Sequence, residues 1–402
     1  MAKAKIKSKK VFRKCLQVNK GIFEESEKII PKIMRYAADN GLNGCNSLSN
    51  NKPYEYLVCS QKILEMNKEN QGPDAKDKDE NVWEIKCIGD KRDTDNNGLN
   101  FSFQNFETFE ELEEWFFKKV EGDPFGSGKL SGGLLACRKL PLSEGFGFSE
   151  IIECNMKDVW DNLLREKIKK DFKSGKRFSS SIDYNKLKSL IVGENISGKV
   201  YNRKQIKSFE KNLSKKQGFL FNKVDELIKL FSKVWVARQN KYRLEFEQGI
   251  NPLAKNDLNE FRASIRTNSL MLAGIGPDAI DENKNYYEFK VLGGAKLARI
   301  DWGSVLKTWK KFFDNKVVKK FMWEEKSVRY FIFRRKGQKF VDCYVAKGSE
   351  LLGNEENVKR IKNSYNTLGD RKTKKVYLSL SFLNNDLFKK VELDKVLDVS
   401  WD

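Results

Sequence analysis

Two short stretches of this 402-residue chain hold the residues best suited to chemistry. Residues 72–86 read GPDAKDKDENVWEIK and residues 276–290 read GPDAIDENKNYYEFK, an offset of 204 (276 − 72). Each reduces to Asp, nine residues, Glu, one residue, Lys: Asp74, Glu84 and Lys86 in the first, Asp278, Glu288 and Lys290 in the second. The apolar residues around Glu and Lys read as a strand, on which positions two apart share a face. The stretches KDKDEN and DENKN read as turns that fold the chain back and bring each Asp beside its Glu. Two carboxylates then form an oxygen site of the kind Mg²⁺ takes, with waters and a substrate phosphate completing the octahedron. Such an ion stabilises charge on a phosphate and lowers the pKa of a bound water. The Lys would orient that water or help deprotonate it, and would offset charge in the transition state.

The duplication is what gives the pattern weight. Charged residues make up 33% of the chain, so a surface turn followed by a half-exposed strand can produce one such pattern by chance. Here eight of fifteen positions agree: Gly72/Gly276, Pro73/Pro277, Asp74/Asp278, Ala75/Ala279, Asp77/Asp281, Asn81/Asn285, Glu84/Glu288 and Lys86/Lys290. Average composition would give roughly one match. The register extends to Gly89/Gly293. Asp77 and Asp281 are either outer partners of a metal or caps of the turn.

The elements needed to position these residues are also legible in pairs. An amphipathic helix pattern precedes each copy, through Ile22, Ile29, Ile30, Ile33, Met34 and Ala37, and through Val224, Leu227, Ile228, Phe231, Val234 and Trp235. A further helical stretch follows each, around Trp115-Phe116-Phe117 and from Trp309 to Phe313. Then come strands: VRYFIFRR and KFVDCYVAK around Lys336-Gly337-Gln338 form a hairpin signal, with GLLACR and SEIIEC as looser first-half equivalents. A helix ending near Phe172 is expected. The division that follows is residues 1–175, a basic crossover linker at 176–215, and residues 216–402.

Composition narrows the function classes. The chain has no histidine, which removes Ser-His-Asp and Cys-His hydrolases, HExxH metalloproteases, Cys/His zinc fingers and histidine-dependent nuclease chemistries. Acid–base work falls to carboxylates, Lys, Tyr, Cys or bound water. The net charge of +21, spread along the chain, points to a polyanionic partner met by a folded basic surface. The rival partner, an anionic membrane, is disfavoured because no run of about 18 apolar residues and no signal peptide is found. Seven cysteines without CxxC spacing read as free thiols of a reducing cytoplasm. The segment Gly122 to Lys129, GDPFGSGK, has one residue too many for a phosphate loop and continues with Leu130 where Ser or Thr is needed. The cluster Arg329, Arg334, Arg335, Lys336 and Lys339 reads as either phosphate contacts or a solvated hairpin end.

The two motifs resemble the PD-(D/E)xK nuclease superfamily, and most nearly the PvuII-like type II restriction endonucleases. That family's Asp-Ala-Val-Asp, five residues, Tyr-Glu-Leu-Lys is similar to Asp278-Ala279-Ile280-Asp281 … Tyr287-Glu288-Phe289-Lys290, and less closely to Asp74-Ala75-Lys76-Asp77 … Trp83-Glu84-Ile85-Lys86. The resemblance covers about fifteen residues per half and beyond that only the order of elements. It implies an α/β fold of two restriction-endonuclease-like domains, each a mixed central sheet flanked by helices, joined as an intrachain pseudodimer that works as a monomer. It implies Mg²⁺ held by Asp74, Glu84, Asp278 and Glu288, catalytic Lys86 and Lys290, and double-stranded DNA as substrate. The family reads bases through a histidine-containing segment after the active strand, which cannot exist here. The corresponding stretches are Leu99 to Phe106 and Leu297 to Ser304, where Gln104, Asn105 and Arg299 are candidate base readers, with Ser102 and Asp301 beside them. These two stretches differ, so the sequence read need not be palindromic. Competing expectations are a structure-selective, repair or viral nuclease of the same superfamily, and a DNA-binding module with one or both sites inert.

Overall fold

Two six-stranded mixed sheets with helices against them carry the two motif copies, so the chain is α/β. The computed structural model describes residues 8–42, 51–67, 72–90, 97–118, 132–176, 178–236, 255–272, 277–293, 297–302, 328–337, 339–366, 376–381 and 386–399, with backbone alone at 234–236, 255–257, 297–302 and 376–381. Ser26–Ser232 form one compact unit; Met1–Glu25 and Lys233–Asp402 form the other.

In the first unit, helix α1 (Lys9–Asp39, shared with the other unit) and α2 (Lys52–Lys62) precede β1 (Glu65–Met66), β2 (Ala75–Lys76) and β3 (Val82–Ile88). Then come β4 (Gly98–Phe103), α3 (Phe109–Phe117), β5 (Gly133–Lys139) and β6 (Phe148–Asn155). The sheet runs β1-β2-β3-β5-β6 and ends on β8 (Gly198–Asn202). Every pairing is antiparallel except β3 with β5. The central strand β5, GLLACRK, is buried at six of seven positions, as a strand covered on both faces must be.

Beyond β6, α4 (Met156–Val159) runs through a π turn at Trp160–Leu164 into α5 (Arg165–Asp171), which ends at Phe172 as the sequence implies. Strand β7 (Phe178–Asp183) pairs with β4 in a separate two-stranded ribbon. The ribbon's apolar face, Leu99, Phe101 and Phe103, joins Leu112 and Phe116 of α3 and Trp160 in one core. The Phe116 and Trp160 rings lie 4.7 Å apart. A capping box starts α3: Glu111 N–H donates to the Thr108 side chain and Thr108 N–H to the Glu111 carboxylate.

The structure differs from the expected crossover at 176–215. That stretch holds β7, α6 (Tyr184–Val192), β8 and α7 (Arg203–Phe209) before α8 (Lys215–Val236) begins. Tyr184, Leu187, Ile191, Ile196 and Ile206 are buried, and β8 closes the sheet edge. Its many lysines sit on the solvent side of short amphipathic elements, which hid one apolar residue in every three or four.

The second unit repeats the order. After α9 (Lys255–Arg266) come β9 (Leu270–Met271), β10 (Ala279–Ile280), β11 (Tyr286–Leu292), β12 (Leu297–Trp302), β13 (Arg329–Lys336), β14 (Lys339–Lys347), helices Gly348–Gly353 and Glu355–Asn366, β15 (Val376–Ser381) and β16 (Lys389–Val391). The sheet runs β9-β10-β11-β13-β14-β16, parallel only between β11 and β13, and β12 pairs with β15 in a second ribbon. Even the irregularities correspond. A register shift falls at Arg138/Lys139 in β5 and at Arg334/Arg335 in β13, an offset of 196 (334 − 138). The β13–β14 hairpin expected from sequence forms, with Gly337 at φ +60°, a conformation glycine adopts without strain. The helix expected at Trp309 to Phe313 lies outside the described residues.

Trp160 stacks on Phe109 and contacts Phe116 at the centre of the first core. Trp160→Ala is expected to cost about 3–5 kcal/mol, read as a lower urea midpoint for the first unit by circular dichroism.

Candidate functional site

Each motif copy folds into a three-strand antiparallel meander, and the two meanders share one register. Ala75 lies opposite Trp83 and Met66, and Ala279 opposite Tyr287 and Met271. The Asn67 N–H donates to the Asp74 carbonyl at 2.8 Å, and the Leu272 N–H to the Asp278 carbonyl at 2.7 Å. Gly72 stands at φ +82°, which accounts for a glycine before the first Pro-Asp.

The turns are closed by Asp77 and Asp281. Each carboxylate accepts from two backbone N–H groups ahead of it: Asp79 and Asn81 at 2.9 Å, Asn283 at 2.9 Å and Asn285 at 2.8 Å. The second oxygen accepts from Trp83 Nε1 at 3.3 Å in one copy and from the Tyr287 hydroxyl at 3.0 Å in the other. Of the two roles open to these residues, both take the turn cap. The turn needs a left-handed residue and uses Glu80 (φ +60°) and Lys284 (φ +70°).

The remaining carboxylates converge. Asp74 Oδ2 accepts from the Ile85 N–H at 2.8 Å, and Asp278 Oδ2 from the Phe289 N–H at 2.7 Å. Each Asp is thus tied to the peptide between its Glu and its Lys. The Glu84 side chain is fully buried and that of Glu288 is 6% exposed. Lys86 pairs with Glu84 and lies 3.9 Å from Asp74 Oδ2; Lys290 Nζ lies 2.9 Å from Glu288 Oε1. Asp74, Glu84 and Lys86 are therefore together, as are Asp278, Glu288 and Lys290.

The electrostatics follow from this crowding. Burial pushes the Glu288 carboxyl up to about 8, Asp278 adds to the shift, and Lys290 opposes it. Burial works against the charge on Lys86, but Glu84 and Asp74 outweigh it and hold the ammonium pKa above its ordinary value. Glu288 Oε2 is buried and accepts no hydrogen bond among the described residues. A buried carboxylate oxygen beside a second carboxylate is a costly arrangement that a divalent cation relieves, so the residues present fit Mg²⁺. Among the described residues no group of three or more His, Cys, Asp or Glu is placed to hold a metal.

The ribbon lies next to the first site, since Lys86 Nζ is 5.5 Å from the Phe101 ring centre. Ser102 is on the exposed face of β4, and Gln104 and Asn105 follow it, also exposed. Strand pairing extends this face to Asn100, within the stretch Leu99 to Phe106, and to Ser179, which the sequence did not point to. Asn100 is exposed opposite Ser181, and Ser179 is exposed opposite Ser102. The alternation in FSSSID was the available signal, but nothing local tells β7 that its partner is β4. Arg299 and Asp301 sit in β12 opposite Ser379 and Tyr377, and their side chains lie outside the described residues. GDPFGSGK falls outside them entirely. In the basic hairpin, Arg334 is held by Asp342 and Arg335 donates to the Gly337 carbonyl at 2.7 Å. No helix among the described residues is long and apolar enough to cross a membrane.

No protein-family model matches the chain, and no curated protein matches it.

Burial works to raise the Asp77 pKa, but hydrogen bonds from Asn81, Trp83 and Asp79 outweigh it and hold it below the ordinary value. A depressed folded pKa contributes stability that is present above the unfolded pKa and lost as pH falls through the folded one. The stability advantage of the wild type over Asp77→Asn is therefore expected to be full above about pH 4 and to shrink below it, measured by denaturation at a series of acid pH values.

Proposed function

We propose that the chain is a Mg²⁺-dependent endonuclease of double-stranded DNA, of the type II restriction kind. It would be a single-chain pseudodimer of restriction-endonuclease-like domains with one PD-ExK site in each half. The observation that carries this reading is the same Asp-Glu-Lys cluster built twice on the same meander, each Asp tied to the peptide between Glu and Lys. A duplicated structural turn needs Asp77 and Asp281; it has no use for a buried Glu paired with a Lys and flanked by a second carboxylate.

The residues divide the work by chemistry. Asp74 and Glu84, and likewise Asp278 and Glu288, would hold the ion. The ion, when bound, supplies charge stabilisation at the scissile phosphate and a more acidic water. Lys86 and Lys290 would orient the attacking water and offset charge as it builds on the phosphate. Glu84 and Asp74 favour the ammonium form of Lys86, so it would act as a donor. The exposed amide and hydroxyl face of the β4–β7 ribbon, with Asn100, Ser102 and Ser179 and with Gln104 just beyond β4, suits a major groove, which admits a two-stranded ribbon. A net charge of +21 would supply non-specific affinity for the backbone.

Metal binding and cleavage test the reading separately. Mg²⁺ at a hundred times its Kd is expected to stabilise the unit around each site by about 2.7 kcal/mol, and Glu288→Gln to remove that gain from the second unit alone. Plasmid incubated with Mg²⁺ should yield discrete fragments, whose sequenced ends give the site. Asp278→Ala should nick one strand only. Absence of cleavage of any duplex in Mg²⁺ would refute the proposal, and unselective cutting at branched or damaged DNA would favour a structure-selective nuclease.

A further inference from the structure

The first turns of α1 belong to the compact unit that holds the second motif. Phe12 is 1% exposed and clusters with Leu270 of β9 and Ile280 of β10, with Leu16, Leu272 and Tyr286 packed around them. These are the strands on either side of Asp278. One residue on, Arg13 makes a two-point contact with Glu282: Nε to Oε2 at 2.8 Å and Nη2 to Oε1 at 3.2 Å. One turn back, Lys9 Nζ donates to Asn283 Oδ1 at 3.0 Å. Residues 9, 12, 13 and 16 lie on one face of the helix, at i, i+3, i+4 and i+7. Glu282 and Asn283 are the middle of the turn that Asp281 caps, between the strand after Asp278 and the strand with Glu288 and Lys290.

The first copy differs. Its turn residues Lys78, Asp79 and Glu80 have one ion pair among the described residues, Glu80 with Lys76, inside their own hairpin. The second turn is gripped instead from a helix 269 residues away in sequence.

We propose that the Lys9–Leu16 face of α1 is a positioning element of the second site, with Phe12 seating the helix on β9 and β10 and with Arg13 and Lys9 fixing the turn that sets Asp278 against Glu288. The inference rests on the proposed function for what the site does, but the clamp is a property of the fold. The Arg13 ion pair is largely exposed, so it contributes direction more than stability. The seating comes from Phe12. The first site would assemble without such help, so perturbing α1 should separate the two sites.

The test uses the full chain with Arg13→Glu, which places like charge against Glu282 and leaves Phe12 buried. In Mg²⁺ the expected product is nicked plasmid, with cutting by the second site slowed on the order of tenfold and cutting by the first unchanged. Glu282→Arg added to Arg13→Glu should restore double-strand breaks, and Arg13→Lys should be intermediate. Hydrogen exchange should show faster exchange across 278–290 and none of this change across 74–86. Wild-type double-strand cutting with unchanged exchange at 278–290 would overturn the inference. So would equal slowing of both sites, because that is general destabilisation. If the wild type cuts no DNA, the nuclease reading fails, and the exchange comparison alone decides the clamp.

Discussion

The bond from a backbone N–H to an aspartate oxygen, Ile85 to Asp74 and Phe289 to Asp278, is the constraint on which both sites depend. It explains the nine-residue spacing in physical terms. Two residues pair across the hairpin, a capped turn occupies the middle, and the aspartate then lands beside the peptide that separates Glu from Lys. A residue more or less in the turn would move Glu and Lys to the other face of the strand. The turn cap, the left-handed Glu80 and Lys284, and the paired alanines serve this one registration.

What the registration holds in place is electrostatically unfavourable alone. Glu288 is buried in a sheet beside Asp278, and its pKa rises because neither water nor enough positive charge reaches it. Lys290 offsets part of that cost through one oxygen and leaves the other without a hydrogen bond. Protein interiors rarely keep such an arrangement for stability, since apolar residues of the same volume do as well or better. The Asp-Glu-Lys cluster nevertheless recurs in the other sheet, with the same strand order.

Local geometry was legible in the sequence and long-range pairing was not. The two Asp-Glu-Lys sets, the turns between them, the β13–β14 hairpin and the end of α5 at Phe172 all follow from residue types within about fifteen positions. The stretch 176–215 misled because its surface is lysine-rich while Leu187, Ile191 and Ile206 are buried beneath it. Ser179 was missed because β7 pairs with β4 across α3, β5, β6, α4 and α5. The docking of Phe12 on Leu270 and Ile280 left no trace in either segment alone, since an apolar residue on an amphipathic helix says only that something covers it.

The way the two halves diverge bears on how they would divide their work. The offset between equivalent residues is 204 at the motif, and 196 at the strand that pairs with it, taken from Gly133 and Arg329 opposite Trp83 and Tyr287. The first half therefore has eight more residues between those points. That interval contains the first ribbon strand, Gly98–Phe103 in one half and Leu297–Trp302 in the other. Hydrogen bonding at the carboxylates is matched to within a few tenths of an ångström, while the ribbon sequences share almost nothing: GLNFSF against LARIDW. On the proposed reading, chemistry imposes one geometry on both sites because the phosphodiester is the same everywhere. Base edges differ from step to step, so two ribbons in one chain are free to read different ones. A homodimer has no such freedom, because its two reading surfaces come from one sequence.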